Sequence, residues 1–357
     1  MQPPTDDILD LLREEHSQAM RRSMRGLIIQ PGAFGDCLLM LPLARFMKDR
    51  LELGAIDVLG HMDYLSLFPG RTCVDAIRSM DSMDLHRLFV EPAHFDLGLA
   101  DHDPLIVAFA DYTWIVTFLG EPEGSFEKNL IYAALCTHSA EVISLTLKPP
   151  TDFKGHLTEF HFRQFLDRCP LQLKAPQPWQ TCTWIEPAES DKARADLILN
   201  NAGADPSRPL VVMQPGSGGS AKCWHVDNFL AVADELRLGG IDVLFLLGPV
   251  EQERFSSDTK SRLHRHGKVV PGLSLEEVLA VLSRADAFVG NDSGISHLAG
   301  GLGRKTIVVF GPTDPAVYRP IGPQVTVFHD LTMDFAHRPS VDLQRQVLER
   351  LIESLRP

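Results

Sequence analysis

Four short loops in this sequence combine glycine with polar side chains, and each directly follows an apolar segment. They are Pro31–Asp36, Pro215–Lys222, Gly248–Gln252 and Gly290–Gly294. In open parallel sheets, ligands bind beyond the carboxyl ends of the strands. The four loops are therefore the first candidates for ligand binding.

The first loop, PGAFGD, places Gly32 and Gly35 three residues apart. It lacks the third glycine of a dinucleotide-binding fingerprint, which disfavours a nicotinamide-dependent oxidoreductase. Asp36 falls where the N-cap of a following helix is expected. Two interpretations of Asp36 stay open, a capping carboxylate and a catalytic base.

The second loop, GSGGSAKCW, contains Ser217, Gly218 and Lys222 and is flexible enough to turn backbone N–H groups towards an anion. It departs twice from a Walker A motif, because Ala221 replaces a glycine and Cys223 replaces the residue that would hold magnesium. The pattern predicts a phosphate-binding loop without a magnesium ligand. A plain glycine turn with a solvated lysine is the alternative.

The last two loops supply carboxylates and a helix start. In GNDSGISH, the N–H groups of Ser293 and Gly294 would form an anion site at a helix N-terminus. Asp292 either caps that helix or accepts hydrogen bonds from sugar hydroxyls, and His297 is either a packed or capping histidine or a participant in the site. Glu251 is either an acid on the surface at a helix start or a ligand of both ribose hydroxyls. Together the loops favour a nucleotide-diphosphate ligand, bound chiefly by the second half of the chain.

Apolar strands alternate with helices on both sides of a proline-rich stretch, residues 169–189, which predicts an α/β protein with two parallel doubly wound sheets. The expected helices include Val226–Leu238 and one through Glu253–His264, and the expected strands include Leu210–Gln214 and Ala285–Val289. The predicted divisions are a helical extension (1–24), a first Rossmann-like domain (25–180), the end of the linker (181–189), a nucleotide-sugar-binding domain (190–335) and a C-terminal helix that packs back on the first domain (336–357).

Composition narrows the classes of protein further. The chain has 357 residues, is 44% hydrophobic and carries a net charge of −13, which excludes a disordered chain and disfavours a general binder of nucleic acid. Its six cysteines show no CxxC spacing, and no metal site is predicted. Four of them lie among apolar residues or inside motifs, as reduced cytoplasmic thiols usually do. The N-terminal segment lacks the apolar core of a secretory signal and is expected to form a short amphipathic helix.

Three segments resemble glycosyltransferase family 9, the ADP-heptose:lipopolysaccharide heptosyltransferases and their relatives. LIIQPGAFGDCLLMLPLAR is similar to the first strand, loop and helix of that family, and VVMQPGSGGSAKCWHVDNFLAVADEL resembles the entry to its second domain. LSLEEVLAVLSRADAFVGNDSGISHLAGGLGRKTIVVFGPTDP resembles the nucleotide-binding signature almost throughout. The resemblance implies a GT-B fold, with two facing Rossmann-like domains, and an inverting, metal-independent transfer.

The resemblance also implies roles for single residues. Asp36 would be the general base on the acceptor hydroxyl. The donor diphosphate would be held by Ser217, Gly218 and Lys222, and from the other side by the amides of Ser293 and Gly294. Asp292 would contact the donor sugar, Glu251 the ribose and Leu273 the adenine. His297 is retained as a further candidate.

The function expected is transfer of a sugar, such as heptose, from an ADP-heptose-like nucleotide-diphosphate-sugar to a glycan or glycolipid acceptor. No cofactor and no nucleic-acid partner are expected. The alternative is an inactive GT-B module that binds a nucleotide-sugar without turning it over. The expected location is the cytoplasm, with peripheral contact at the inner membrane left open.

Overall fold

The computed structural model describes residues 24–98, 102–137, 139–175, 178–332 and 334–356. Within these, the chain divides into two compact units. The first contains residues 24–32, 40–151 and 158–175, and the second contains Ala33–Leu39, Asp152–Leu157 and residues 178–356. The predicted N-terminal helical extension lies outside the described residues, apart from Met24.

The first unit is built on a five-stranded parallel sheet in the order β3-β2-β1-β4-β5. Its strands are β1 (Arg25–Gln30), β2 (Ala55–Gly60), β3 (Ala76–Ser79), β4 (Trp114–Thr117) and β5 (Glu141–Ser144). Leu27, Ile28 and Ile29 of the central strand β1 are fully buried. A run of consecutive apolar residues is what a parallel strand covered on both faces requires.

Helices in the first half of the chain follow the order expected for doubly wound sheets. They are α1 (Phe34–Leu39), α2 (Leu41–Arg50), α3 (Met62–Leu65), α4 (Pro104–Phe109), α5 (Ser125–Leu135) and α6 (Leu157–Arg168). Although α1 follows β1 directly, it belongs to the second compact unit.

The second unit contains a six-stranded parallel sheet in the order β11-β10-β9-β6-β7-β8. Its strands are β6 (Leu210–Gln214), β7 (Asp242–Leu247), β8 (Lys268–Pro271), β9 (Ala287–Asn291), β10 (Lys305–Phe310) and β11 (Val325–His329). Its helices are α7 (Glu189–Asn201), α8 (Val226–Leu238), α9 (Pro249–Arg254), α10 (Ser257–His266), α11 (Leu275–Arg284), α12 (Gly294–Gly301), α13 (Pro315–Tyr318) and α14 (Val341–Leu355). The predicted α/β class with two parallel doubly wound sheets is confirmed.

Two of the expected boundaries are wrong. The helix expected over Glu253–His264 is in fact two helices, α9 and α10, because the Ser256 side chain accepts a hydrogen bond from the Thr259 N–H and caps a new start. Strand β9 also runs further than expected, through Gly290 and Asn291. These two residues pair with Val308 and Val309 of β10, which leaves Asp292 as the first residue past the strand.

The C-terminal helix α14 packs on α8 within the second unit, and its expected packing on the first domain stays a prediction. Leu343, Val347 and Leu351 recur every four residues, so they form one apolar stripe along the helix. All three are buried in the same core cluster as Phe229 and Leu236 of α8. That contact uses the apolar face of α14.

Candidate active site

A pocket of about 750 Å³, open to solvent, lies in the second unit beyond the carboxyl ends of β6, β7 and β9. One part is apolar and includes Leu246, Val270, Leu273 and Val278. The other part is polar or backbone-lined and includes Gln214, Ser217, Gly218, Glu251, Ser293 and Gly294. Six of the residues singled out in the sequence therefore share this lining: Ser217, Gly218, Glu251, Leu273, Ser293 and Gly294.

Glu251 is only 2% exposed, so it is not the acid on the surface that its place at a helix start allowed. Its Oε1 accepts a hydrogen bond from Gln214 Nε2 at 3.2 Å, and Gln214 Oε1 in turn accepts one from Ser293 Oγ at 2.9 Å. A Cβ added at Gly216 would lie 1.9 Å from Glu251 Oε1. Only glycine at position 216 leaves room for this carboxylate, whose hydrogen bond with Gln214 ties α9 to the end of β6.

Asp292 forms an ion pair with Lys222, with 2.6 Å between Lys222 Nζ and Asp292 Oδ2. The same oxygen accepts a hydrogen bond from Thr313 Oγ1 at 2.8 Å. Asp292 does not cap the next helix, because that position is taken by Ser293, whose Oγ accepts from the Ser296 N–H. Lys222 is consequently not the freely solvated lysine of a plain turn.

Asn291, the last residue of β9, binds the loop after β6 through its buried side-chain amide. Asn291 Nδ2 donates to the carbonyls of Pro215 and Gly216, at 2.9 and 3.2 Å, and Asn291 Oδ1 accepts from the Trp224 N–H at 2.8 Å. A single buried amide therefore fixes both ends of the loop. Ser217 Oγ adds a bond of 2.6 Å to the Asp292 carbonyl, which joins the two predicted anion-binding segments.

Asp36 lies in the first turn of α1 and is not at its N-cap, because the helix begins at Phe34. Its Oδ2 accepts a hydrogen bond from the Ala33 N–H at 3.0 Å, so the carboxylate does cap the helix start from within. This contact is compatible with a second role for the side chain, and the proposed role as a base stays a prediction.

Helix α1 packs closely on α12, the helix whose N-terminus lines the pocket. A Cβ at Gly35 would lie 3.2 Å from His297 Cδ2, and a Cβ at Gly294 would lie 2.8 Å from Phe34 Cδ1. The two glycines thus allow α1, the helix that carries Asp36, to approach closely the helix whose N-terminus lines the pocket.

His297 is a packed histidine, buried against Gly35, with no hydrogen-bond partner for its Nδ1 among the described residues. Burial lowers the pKa of His297 to about 4; the charge of Asp292 opposes this effect, and His156 and Lys222 add to it. The imidazole is therefore neutral near pH 7.

Sequence reasoning missed Tyr318, Thr313, Asn291 and Arg254. Burial raises the pKa of Tyr318, as do the negative charges of Asp36 and Asp292, whereas the charge of Lys222 lowers it. Thr313 belongs to the GPTDP segment, which has the composition of an ordinary turn, so only the tertiary contact with Asp292 reveals it. Asn291 lies in the predicted loop Gly290–Gly294, but the strand was expected to end at Val289, so its buried position at the end of β9 was not predicted.

Among the described residues, no group of three or more His, Cys, Asp or Glu side chains is placed to hold a metal ion. None of the described helices combines the length and the apolar character needed to cross a membrane.

Two doubly wound parallel sheets, with a pocket at the strand ends of the second, define a GT-B protein, and solved structures share this fold. An Escherichia coli ADP-heptose lipopolysaccharide heptosyltransferase II superposes with a TM-score of 0.68 over 93% of this chain and 98% of that chain, at 18% identity. The E. coli heptosyltransferase WaaC with ADP superposes with a TM-score of 0.61 over 91% and 99% of the two chains, also at 18% identity.

Sequence comparison gives the family. Residues 170–345 match the model of glycosyltransferase family 9 (heptosyltransferase). A lipopolysaccharide heptosyltransferase 3 from E. coli is 24% identical over 311 residues, which is 80% of this chain and 83% of that protein. The chain belongs to glycosyltransferase family 9 and is a glycosyltransferase. The expected fold class and family are thereby confirmed.

Proposed function

We propose that this protein is an inverting, metal-independent glycosyltransferase that transfers a heptose-type sugar from an ADP-sugar to a glycan or glycolipid of the cell envelope. The observation that carries the proposal is the divided pocket, apolar at one end and lined by amides and hydroxyls at the other. The heptosyltransferase relatives, one of them solved with ADP, support the choice of donor.

The donor would lie along the pocket with its base at the apolar end. Leu273 and Val270 offer apolar surface to the adenine, and the buried carboxylate of Glu251 can accept hydrogen bonds from both ribose hydroxyls. The diphosphate would then meet Ser217 and Gly218 on one side and the N-terminus of α12 on the other. Helix N-termini bind anions because their first N–H groups lack partners within the helix.

The Lys222–Asp292 ion pair has a specific consequence for the proposed position of the donor. Asp292 carries a negative charge close to the proposed diphosphate position, and unscreened it would repel the donor. Lys222 is 38% exposed, so its ammonium can serve the carboxylate and a phosphate oxygen together. Asp292 would then orient Lys222 and use its remaining acceptor capacity for a hydroxyl of the donor sugar.

In the proposed reaction, the acceptor hydroxyl oxygen attacks the anomeric carbon of the donor sugar from the face opposite the diphosphate. A carbon–oxygen bond forms as the bond between the anomeric carbon and the diphosphate oxygen breaks, and the hydroxyl proton passes to Asp36. The negative charge that develops on the leaving ADP is stabilised by Lys222 and by the amides of α12. This cationic and dipolar set offers the charge stabilisation for which other enzymes use a divalent ion.

The test is sugar transfer from ADP-heptose to a purified heptose-acceptor core glycolipid, followed by mass spectrometry and by NMR of the new linkage. We expect transfer with inverted anomeric configuration, undiminished in EDTA, and a loss of about 10²–10⁴-fold in Asp36→Asn, because a general base contributes that much. Asp49→Asn, an exposed carboxylate on α2, is the matched control.

Retention of configuration, or loss of activity in EDTA that is restored by magnesium or manganese, would contradict the mechanism. Donor binding without transfer to the glycolipids offered would favour the alternative, a binding module.

A further inference from the structure

Three consecutive carbonyls of the loop after β6 are occupied by hydrogen bonds. Arg254 Nη1 donates to the Ser217 carbonyl at 3.3 Å, and Arg254 Nη2 donates to the Gly218 carbonyl at 2.8 Å. The Gly219 carbonyl accepts from the Lys222 N–H at 3.1 Å. One guanidinium therefore bridges two neighbouring peptide groups.

This bridge fixes the direction of the amides as well. A trans peptide group is planar, and its N–H points opposite to its C=O. If the carbonyls of Ser217 and Gly218 face Arg254, the N–H groups of Gly218 and Gly219 face away from it. In the described part of the chain, neither N–H donates a hydrogen bond. A Cβ added at Gly218 would meet no atom within 4 Å, so the space around this residue is open.

Helix α9 therefore contacts the loop through two side chains three residues apart. Glu251 fills the space beside Gly216, and Arg254 binds the carbonyls of Ser217 and Gly218. Residues three apart lie on one face of a helix, so a single short helix can hold both contacts. The glycines would otherwise leave the loop with many backbone conformations, and ordering them on ligand binding costs free energy.

We propose that Arg254 is a positioning residue for the phosphate-binding loop. It turns the peptide groups so that the N–H groups of Gly218 and Gly219 are available to the diphosphate of a nucleotide donor. The inference rests on the proposed function, since it assumes that this loop receives a diphosphate. In this role Arg254 acts through the backbone and does not itself need to contact the phosphates.

Two substitutions of Arg254 separate the effect of its positive charge from the effect of its two-nitrogen geometry. Arg254→Lys keeps the positive charge but replaces the two-nitrogen fork with a single ammonium, whereas Arg254→Ala removes both. The matched control is Arg237→Ala, which also removes a cation that binds a backbone carbonyl, at 3.0 Å on Arg265, away from the pocket. Calorimetry on the full chain would measure binding of ADP, GDP, UDP, inorganic pyrophosphate and adenosine, with the melting temperature recorded for each variant.

We expect both Arg254 variants to bind the diphosphate probes about tenfold more weakly, the effect of losing hydrogen bonds that involve a charged group. Adenosine affinity and melting temperature should match those of Arg237→Ala. Equal weakening of adenosine and ADP, or full ADP affinity in Arg254→Lys, would overturn the inference.

The panel also separates this inference from the function on which it rests. If wild type binds GDP, UDP or pyrophosphate but not ADP, the proposed donor is wrong, and the Arg254 variants still test the loop on the probe that binds. If wild type binds ADP and the Arg254 variants bind it equally well, only the positioning role is wrong. If no diphosphate binds, both proposals are overturned.

Discussion

Lys222 and Asp292 form an ion pair beside the proposed position of the donor diphosphate. Asp292 is almost buried, and its Oδ2 receives both Lys222 Nζ and Thr313 Oγ1. A buried carboxylate without a cation is costly, so Lys222 compensates the charge of Asp292 in the free protein, besides the phosphate contact that we propose for it. If the proposal is right, removing Lys222 weakens binding of the diphosphate in two ways. The attraction between the ammonium and the phosphates is lost, and the negative charge of Asp292 then repels them.

We expect Lys222→Ala to weaken ADP binding by about 1.5–3 kcal/mol, the range for a hydrogen bond to a charged group. Calorimetry would measure this, with Lys192→Ala as the control, since Lys192 pairs with an exposed glutamate on α7. Asp292→Asn in the Lys222→Ala background should recover part of the loss by removing the repulsion. An unchanged ADP affinity in Lys222→Ala would rule out the phosphate role.

His297 predicts a pH dependence of stability. Its pKa is lowered from 6.5 to about 4 by burial. As the pH falls below 6.5, the unfolded chain takes up this proton before the folded chain does. The free energy of unfolding is therefore unaffected by this group above pH 6.5 and falls progressively between pH 6.5 and about pH 4. For a pKa shift of this size the total decrease is about 3 kcal/mol.

Urea unfolding between pH 4 and 7 would check this. Between pH 7 and pH 4, the free energy of unfolding of His297→Gln should decrease by about 3 kcal/mol less than that of wild type. His264→Gln, at an exposed position on α10, is the control and should follow the wild-type curve. Parallel curves for wild type and His297→Gln would contradict the assignment.

At the scale of elements, the contact between α1 and α12 depends on two glycines. Gly294 faces Phe34, and Gly35 faces His297. The sequence singled out Gly35 as part of a glycine loop after a strand and Gly294 for its amide at a helix N-terminus, whereas the structure shows that both glycines also allow close helix packing. Asp36 is carried on α1, so its position relative to the pocket depends on this contact.

We expect Gly294→Ala to lower both stability and sugar transfer, because its Cβ would lie 2.8 Å from the Phe34 ring. Overpacking of this kind costs about 1–3 kcal/mol. Phe34→Leu makes room for the added methyl group, so the double variant should be more stable than the sum of the single effects. Unfolding free energies and transfer rates of the three variants form a double-mutant cycle, and strict additivity would argue against the contact.

The elements also show what sequence can and cannot predict. Strand β6 and helix α8 were predicted at their observed bounds, because apolar runs and helical periodicity mark them clearly. Strands β8 and β11 were missed: they lie at the two edges of the sheet, and most of their residues are only half-buried. The loops that line the pocket could be predicted because ligands bind at the ends of parallel strands, whereas the bridge from Arg254 to two carbonyls has no sequence signature.

At the scale of the whole molecule, charge constrains the kind of acceptor. The net charge is −13, and the first 180 residues carry 16 Lys and Arg against 25 Asp and Glu, a net of −9. A negative field of this kind disfavours approach to an anionic surface and slows association with a polyanion. An acceptor that presents a neutral sugar, distant from phosphates, fits this charge better than a densely anionic one.

The N-terminal segment contains a cluster of arginines that could bind an anionic surface despite the negative net charge of the chain. Residues 1–25 contain Arg13, Arg21, Arg22 and Arg25, but also Asp6, Asp7, Asp10, Glu14 and Glu15. These acidic residues offset the arginines, so we expect weak or no binding of the full chain to anionic phosphatidylglycerol vesicles in a co-sedimentation assay. A chain lacking residues 1–24 and neutral phosphatidylcholine vesicles are the controls. Strong binding that weakens with salt and disappears on truncation would show that the arginine cluster outweighs the net charge, since exposed charges are screened beyond about 8 Å at physiological ionic strength.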